Sequence, residues 1–254
     1  MIRPLFQALL ALVSSALLHA AEPGSLALSG DSTMASGSGW GDAFAKSLKP
    51  GIKFHNMARG GRSSKSYRDE GWWTKTLAQQ PTWIFLQFGH NDQPGKGPKR
   101  ETHPQSTYRE NLARYVREAR AAGATPILVT SLARRYFNAE GRIVSAPANR
   151  NYPDPGASHS LAAYAAATRA VARELDVPLI DLHALSVAAL EKMGPEKAAA
   201  YDPPPNAEGI PDKTHLTPRG ARETAALISA EIRRAYPEIA RQILHTPEAS
   251  QLGD

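Results

Sequence analysis

Short apolar stretches alternate with longer amphipathic stretches along this chain. Five of the short stretches are strand candidates, at residues 25–29, 53–57, 83–88, 125–130 and 177–182. Residues 83–88 are the clearest, because they combine β-branched and aromatic residues, and residues 53–57 are weaker. Such short apolar runs are typical of strands buried on both faces of a parallel sheet. The pattern therefore predicts a sheet whose strands pair in parallel.

The longer stretches carry apolar residues with the helical period. In residues 108–122, for example, Leu112, Tyr115, Val116 and Ala119 share one face, and the pattern stops at Gly123. Helices are predicted at residues 40–48, 71–80, 108–122, 161–175, 183–193 and 218–236, the last of them opened by a threonine N-cap followed by proline. Strand–helix alternation along the whole chain predicts one doubly wound α/β domain.

Two stretches interrupt this alternation. Residues 137–160 and 198–216 are rich in Gly, Pro, Asn and Asp and are expected to be irregular. Long irregular loops inside a compact domain usually serve function. We therefore expect both loops to be functional, and the sequence leaves their roles open.

The N-terminus has the layout of a signal peptide. Arg3 precedes an apolar run at residues 5–18, and small residues suited to cleavage follow at Ala20 and Ala21. The run of about 14 residues is shorter than the roughly 20 that a spanning helix needs. We expect residues 1–20 to be a signal peptide, residues 21–254 to form a single domain, and the protein to be exported to the periplasm or secreted without stable membrane insertion.

Composition narrows the possible partners. The formal net charge is +6. A positive surface would favour binding of an acidic polymer, but a charge of this size is explained equally well by solubility. Nucleic acid is disfavoured, because neither a Lys/Arg run nor a recognition motif occurs. The chain has no cysteine, which excludes disulfides, thiolate metal sites and a cysteine nucleophile, and its histidines lack metal-ligand spacing, so no metal is expected.

Polar groups follow three of the predicted strands and precede the last predicted helix, where ligands bind in open α/β sheets. They include Ser32, Gly61, Asn91, Asp212 and His215. A serine hydroxyl needs a base to become nucleophilic, a histidine supplies one near neutral pH, and a carboxylate orients the imidazole. The backbone N–H groups of Ser32 and Gly61 and the amide of Asn91 would then stabilise an oxyanion.

The residues of these segments resemble the conserved sequence blocks of the SGNH/GDSL hydrolase superfamily, and in particular of its rhamnogalacturonan acetylesterase-like group. The segments are GDSTMA (30–35), GWG (39–41), NMARGGRSSKSY (56–67), FGHNDQ (88–93) and DKTHLTPRGA (212–221). The resemblance implies a flavodoxin-like three-layer α/β/α sandwich with a five-stranded parallel sheet, and an acetyl ester hydrolase without cofactor. It also implies Ser32 as nucleophile, Asp212 and His215 as the other triad members, and Ser32, Gly61 and Asn91 as oxyanion-hole donors.

Substrate choice is left between several alternatives. Arg134 and Arg135 follow the fourth strand and could bind a uronate carboxylate, although a solvated pair at the start of a loop explains them equally well. Tyr136, Phe137 and Tyr152 could stack on sugar rings or anchor the loop. Acetylated rhamnogalacturonan or pectin is the expected substrate. Acetylated xylan, the acyl chains of a lipase or thioesterase, and non-catalytic carbohydrate binding are the alternatives.

Overall fold

A five-stranded parallel sheet lies at the centre of the computed structural model, which describes residues 24–146 and 156–245. Its strands are β1 Ser25–Gly30, β2 Lys53–Asn56, β3 Trp83–Gln87, β4 Thr125–Val129 and β5 Leu179–Ile180, in the order β2-β1-β3-β4-β5. The chain moves outward from β1 to β2 and then returns to the other side of β1. Strand order therefore reverses between β1 and β3, and ligands bind in the crevice that such a reversal leaves.

Helices cover both faces of the sheet. They are α1 Gly41–Ala45, α2 Ser66–Asp69, α3 Trp72–Leu77, α4 Thr107–Ala121, α5 Leu161–Glu174, α6 Leu182–Met193, α7 Pro195–Ala198, α8 Pro218–Ala235 and α9 Pro237–Ile243. Leu26 and Leu28 of β1 pack into the core that contains α1, α6, α8 and α9. Ala27, between them, packs into the core that contains α3, α4 and α5. The three-layer α/β/α sandwich expected from the sequence is confirmed.

Several element boundaries differ from the prediction for local reasons. Helix α1 stops at Ala45, and Leu48 instead forms an antiparallel bridge with Leu244. Strand β5 begins only after Pro178, which has no N–H to give to a sheet ladder. The short helices α2, α7 and α9 were not predicted, because four to seven residues carry few periodic positions. Helices α1 and α3 are equally short but were predicted as parts of longer stretches.

The described residues of the two loops that were expected to be irregular contain little regular structure. Residues 137–146 contain an antiparallel bridge between Phe137 and Ile143, and residues 202–217 follow a short 3-10 turn, Ala199–Tyr201. The predicted signal peptide at residues 1–20 and Tyr152 lie outside the described residues. Within the described ranges, no helix combines the length and the hydropathy that crossing a bilayer requires.

Candidate active site

Ser32 lies in a tight turn directly after β1. The side chain of Asp31 stabilises this turn, because its Oδ1 accepts hydrogen bonds from the backbone N–H of Thr33 at 2.9 Å and from its hydroxyl at 2.8 Å. Gly39 packs on the same turn so closely that a Cβ there would lie 2.2 Å from the backbone of Thr33. The turn therefore presents the half-buried Ser32 hydroxyl at the carboxyl edge of the sheet.

Ser32, His215 and Asp212 form a continuous hydrogen-bonded chain. Nε2 of His215 is 2.8 Å from the Ser32 hydroxyl, and its Nδ1 is 2.7 Å from Oδ2 of Asp212. The carboxylate can only accept from Nδ1–H, so Nε2 carries the lone pair that faces the serine. This arrangement can deprotonate the hydroxyl.

The backbone around Asp212 keeps its carboxylate charged. Its Oδ1 accepts from the N–H groups of Thr214 and His215, each at 2.9 Å. Burial raises the pKa of Asp212, but these backbone hydrogen bonds and the contact with the His215 ring outweigh it, so the pKa lies below its usual value. An ionised Asp212 holds the imidazole in one tautomer.

Arg135 contacts the loop that carries Asp212 and His215, on the side away from Ser32's cavity, which it does not line. Its Nη2 donates to the main-chain carbonyl of Asp212 at 3.3 Å and to that of His215, and its Nε pairs with Asp202 at 2.5 Å. Only 2% of the residue is exposed. The sequence suggested Arg135 as a substrate-binding residue. The structure corrects this, because its guanidinium is already bound within the protein.

Gly61 and Asn91 lie beside Ser32, where an oxyanion would form. Gly60 is close enough that a Cβ on it would be 3.6 Å from Cβ of Ser32, and Gly61 has a positive φ of 78°. The amide of Asn91 donates one hydrogen bond to the carbonyl of Arg62 at 3.1 Å, which leaves its second N–H available. Among the described residues, no acceptor takes the backbone N–H of Ser32 or Gly61. Three donors can therefore converge there.

Asp92 joins the segments that carry these donors, and sequence reasoning missed it. Its carboxyl accepts from the hydroxyl of Ser64 at 2.6 Å, the hydroxyl of Thr102 at 2.8 Å and the N–H of Gly89 at 3.0 Å. Burial raises the pKa of Asp92 to about 7 despite these hydrogen bonds. In the sequence, the signal that could have identified Asp92 was its position next to Asn91 in the FGHNDQ segment.

His90 was also missed, although the same segment contains it. Its Nδ1 lies 3.3 Å from Oδ2 of the fully buried Asp31, directly behind the Ser32 turn. Burial lowers the pKa of His90 more than Asp31 raises it, so the ring is neutral near pH 7. Its buried Nε2 has no hydrogen-bond partner among the described residues.

These groups border one cavity of about 490 Å³. Basic side chains in its wall are Lys96, Arg100, Arg134 and Lys213. Arg134, a predicted substrate-binding residue, lies in this wall and contacts Thr214 at 3.3 Å and Gln93 at 2.5 Å. Tyr136 lines the cavity too, whereas Phe137 packs against the core. Within the part of the chain that the structure describes, no group of His, Asp and Glu side chains could hold a metal ion.

The model of the GDSL-like lipase/acylhydrolase family matches residues 25–223, which carry every group described above. The chain belongs to this family. The resemblance read from the sequence segments is thereby confirmed, and with it the assignment as an ester hydrolase.

Curated relatives of this GDSL-family chain include named acetylesterases. The chain is 36% identical to the rhamnogalacturonan acetylesterase RhgT of Bacillus subtilis, over 81% of this chain and 88% of the relative. It is also 36% identical to the probable rhamnogalacturonan acetylesterase YesY of the same organism, over 80% of this chain and 86% of the relative.

Solved structures agree on the fold. The protein YxiM of Bacillus subtilis matches with a TM-score of 0.65 and 26% identity, covering 83% of this chain and 56% of that protein. Axe2, an acetylxylan esterase from Geobacillus stearothermophilus, matches with a TM-score of 0.57 and 17% identity, covering 83% and 93%.

Proposed function

We propose that this protein is a serine acetylesterase that removes acetyl groups from acetylated rhamnogalacturonan or a related pectic polysaccharide. The observation that carries the proposal is the hydrogen-bonded chain from Asp212 through His215 to Ser32, which ends beside Gly61 and Asn91. The relatives named rhamnogalacturonan acetylesterases supply the substrate class.

In the first half of the reaction, Nε2 of His215 takes the proton of the Ser32 hydroxyl as its oxygen attacks the acetyl carbonyl. The carbonyl oxygen becomes an oxyanion, stabilised by the N–H groups of Ser32 and Gly61 and by the Asn91 amide. When the tetrahedral intermediate collapses, the C–O bond to the sugar breaks. His215 returns the proton to the departing sugar oxygen, which leaves as a hydroxyl.

In the second half, water hydrolyses the acetyl-serine. His215 deprotonates the water, the same donors stabilise the second oxyanion, and acetate leaves as Ser32 regains its proton. Asp212 stays ionised throughout and stabilises the imidazolium in both halves, as its lowered pKa favours. The reaction needs no cofactor.

The cavity favours a polar substrate over an acyl chain. Charged and amide side chains line much of it, including Asn91, Gln93, Asn206 and four cations. A lipase or thioesterase would need an apolar groove for its acyl chain. Acetylxylan remains the rival polymer, but its neutral backbone gives the four cations no role.

Two further expectations belong to this proposal. The protein would meet its polymer after export, with residues 1–20 removed as a signal peptide. Its partner is the acetylated polysaccharide or its oligosaccharides and not nucleic acid, because the basic side chains surround a catalytic cavity and form no run along the chain.

Acetate release from acetylated rhamnogalacturonan and acetylated xylan tests the proposal, with the Ser32→Ala variant measured alongside. We expect release by the wild type alone and faster release from the acidic polymer. No release from either polymer by the folded wild type would reject the proposal. A series of 4-nitrophenyl esters tests the acyl group, and a preference for chains longer than butyrate would point to the lipase alternative.

A further inference from the structure

Arg100 lines the catalytic cavity and was not singled out by the sequence. Its Nε donates to the main-chain carbonyl of Lys96 at 2.8 Å, and its Nη1 donates to that of Gly61 at 3.4 Å. Both acceptors are neutral. Among the described residues, no carboxylate forms an ion pair with Arg100. Its guanidinium charge is therefore available to an anionic ligand in the cavity.

The segment that carries Arg100 is held in a defined shape. The carbonyl of Gly97 accepts the N–H groups of Arg100 at 2.9 Å and Glu101 at 3.0 Å. Thr102 then fastens the segment to Asp92, through its backbone N–H at 2.9 Å and its hydroxyl at 2.8 Å. A guanidinium on such a segment loses little freedom when a ligand binds, which favours affinity.

Arg100 and Arg134 lie on different sides of Ser32. Arg100 contacts Gly61, which follows β2, whereas Arg134 contacts Thr214, next to His215. Among the described residues that line the cavity, Asp212 supplies the one carboxylate, and it is engaged by His215. The serine hydroxyl therefore lies between two cations in a wall that carries little negative charge.

We propose that Arg100 is the specificity-determining residue that binds the carboxylate of a uronate in the substrate. A planar guanidinium accepts a carboxylate in a bidentate, charge-assisted pair. Because the same guanidinium contacts the carbonyl of Gly61, a bound uronate is anchored directly beside the oxyanion donors. The placement of an acetyl ester at Ser32 rests on the proposed function. The carboxylate subsite itself rests on Arg100 and the cavity.

Binding is measured first, without catalysis. Calorimetry with unacetylated trigalacturonate compares Ser32→Ala with the double variant Ser32→Ala/Arg100→Gln. We expect the glutamine to weaken binding roughly 10- to 100-fold, the usual worth of a hydrogen bond to a charged group. The matched control is Ser32→Ala/Lys99→Gln, which removes the same charge from the exposed neighbouring residue and should bind as Ser32→Ala does. Equal affinity of the Arg100 and Lys99 variants would overturn the proposal.

Catalysis separates a binding role from a structural role at Gly61. With 4-nitrophenyl acetate, Arg100→Gln should keep kcat/KM within about threefold of wild type, because the lost hydrogen bond to the Gly61 carbonyl is long, at 3.4 Å, and the glutamine amide can still donate to the Lys96 carbonyl as Nε does. With acetylated oligosaccharides that contain uronates, kcat/KM should fall roughly 10- to 100-fold, mainly through KM. The same oligosaccharides with their carboxyl groups reduced to alcohols should be cleaved equally by Arg100→Gln and wild type. An equal loss on all these esters would reject the subsite, since Arg100 would then act only on the oxyanion loop.

Failure of the proposed function would give different results from failure of the carboxylate subsite. If the wild type binds trigalacturonate through Arg100 yet releases no acetate from any uronate-containing oligosaccharide, the acetylesterase assignment fails while the subsite stands. If the wild type releases acetate and Arg100→Gln releases it equally well from the acidic and the reduced substrates, the subsite fails while the assignment stands.

Discussion

The guanidinium of Arg135 donates a hydrogen bond to the main-chain carbonyl of His215, the residue whose ring contacts Ser32. The same guanidinium group reaches the carbonyl of Asp212 and pairs with Asp202, while its own backbone N–H donates to the carbonyl of Lys213 at 3.0 Å. One buried side chain thus supports both ends of the loop that carries Asp212 and His215, the proposed catalytic partners of Ser32.

Replacing Arg135 should therefore lower turnover without weakening substrate binding. We expect Arg135→Met to lower kcat by roughly 100-fold with KM nearly unchanged, as small misplacements of a catalytic group do, and to destabilise the fold by about 3 kcal/mol. Arg135→Lys should recover stability more than kcat, because lysine keeps the charge but loses the planar fork. Steady-state kinetics and urea unfolding measure the two effects. A destabilised variant with normal kcat would make Arg135 purely structural.

Asn91→Ala should slow turnover by about 100- to 1000-fold, which is the usual effect of losing one oxyanion donor. The stability loss should be near 1 kcal/mol, since one hydrogen bond to the Arg62 carbonyl disappears. Turnover of 4-nitrophenyl acetate and thermal unfolding check both values. A rate near that of wild type would remove Asn91 from the oxyanion site.

Asp212→Asn should retain the loop but lower kcat by about 10³- to 10⁴-fold. The asparagine carbonyl can still accept from Thr214 and His215, while its NH₂ group faces Nδ1 and favours the wrong tautomer of the imidazole. The informative comparison is with Ser32→Ala, which should abolish formation of the acetyl-enzyme. Steady-state kinetics with 4-nitrophenyl acetate measures kcat, and mass spectrometry checks that Ser32→Ala carries no acetyl group. An Asp212→Asn variant with the turnover of wild type would remove Asp212 from the triad.

His90 should make the folded state sensitive to acid. Burial lowers its pKa in the folded state, so below about pH 6.5 the unfolded chain binds a proton that the folded protein resists. This contribution of His90 lowers stability as the pH drops, by up to about 1.4 kcal/mol per pH unit for one proton. Asp92, whose pKa is raised to about 7 by burial, contributes in the opposite direction, so the effect of His90 is read from the difference between wild type and a His90 variant. His90→Asn, whose amide can still donate to Asp31, should remove the His90 contribution, so that the variant gains stability relative to wild type as the pH falls from 7 to 5 in urea unfolding. The exposed His103→Gln is the control and should leave the pH dependence unchanged.

Gly39→Ala should disrupt the turn that presents Ser32. Its Cβ would lie 2.2 Å from the backbone of Thr33, which must then move, at a cost of about 3 kcal/mol. Gly37→Ala is the control from the same turn, because its Cβ meets nothing within 4 Å and only its positive φ of 76° is penalised, by about 1 kcal/mol. Unfolding and esterase activity report the two effects. Equal losses in the two variants would argue against close packing at Gly39.

Much of the fold was predictable because buried strands and helices have recognisable patterns of apolar residues within short segments of the sequence. Strand β3 was recognised from the run around Phe85 and Leu86, which is apolar on both faces of the sheet, and α4 from its periodic face. The short helices α2 and α9 were missed, since their few residues show no period. Helix α1 ends early because Leu48 pairs with Leu244, a residue distant in sequence. Strand β5 begins late because Pro178 precedes it.

The sequence by itself determined the order of strands and helices, and it singled out Ser32, Gly61, Asn91, Asp212 and His215, because catalytic chemistry restricts residue type within short segments. Only the tertiary structure decided which neighbouring side chains share their cavity. Arg134 lines it while Arg135, one residue later, is buried beneath the His215 loop, and Arg100 reaches Gly61 from a segment 39 residues further along the chain. Neighbouring residues of a loop can be buried to different extents, and contacts between distant segments form only when the sheet brings them together.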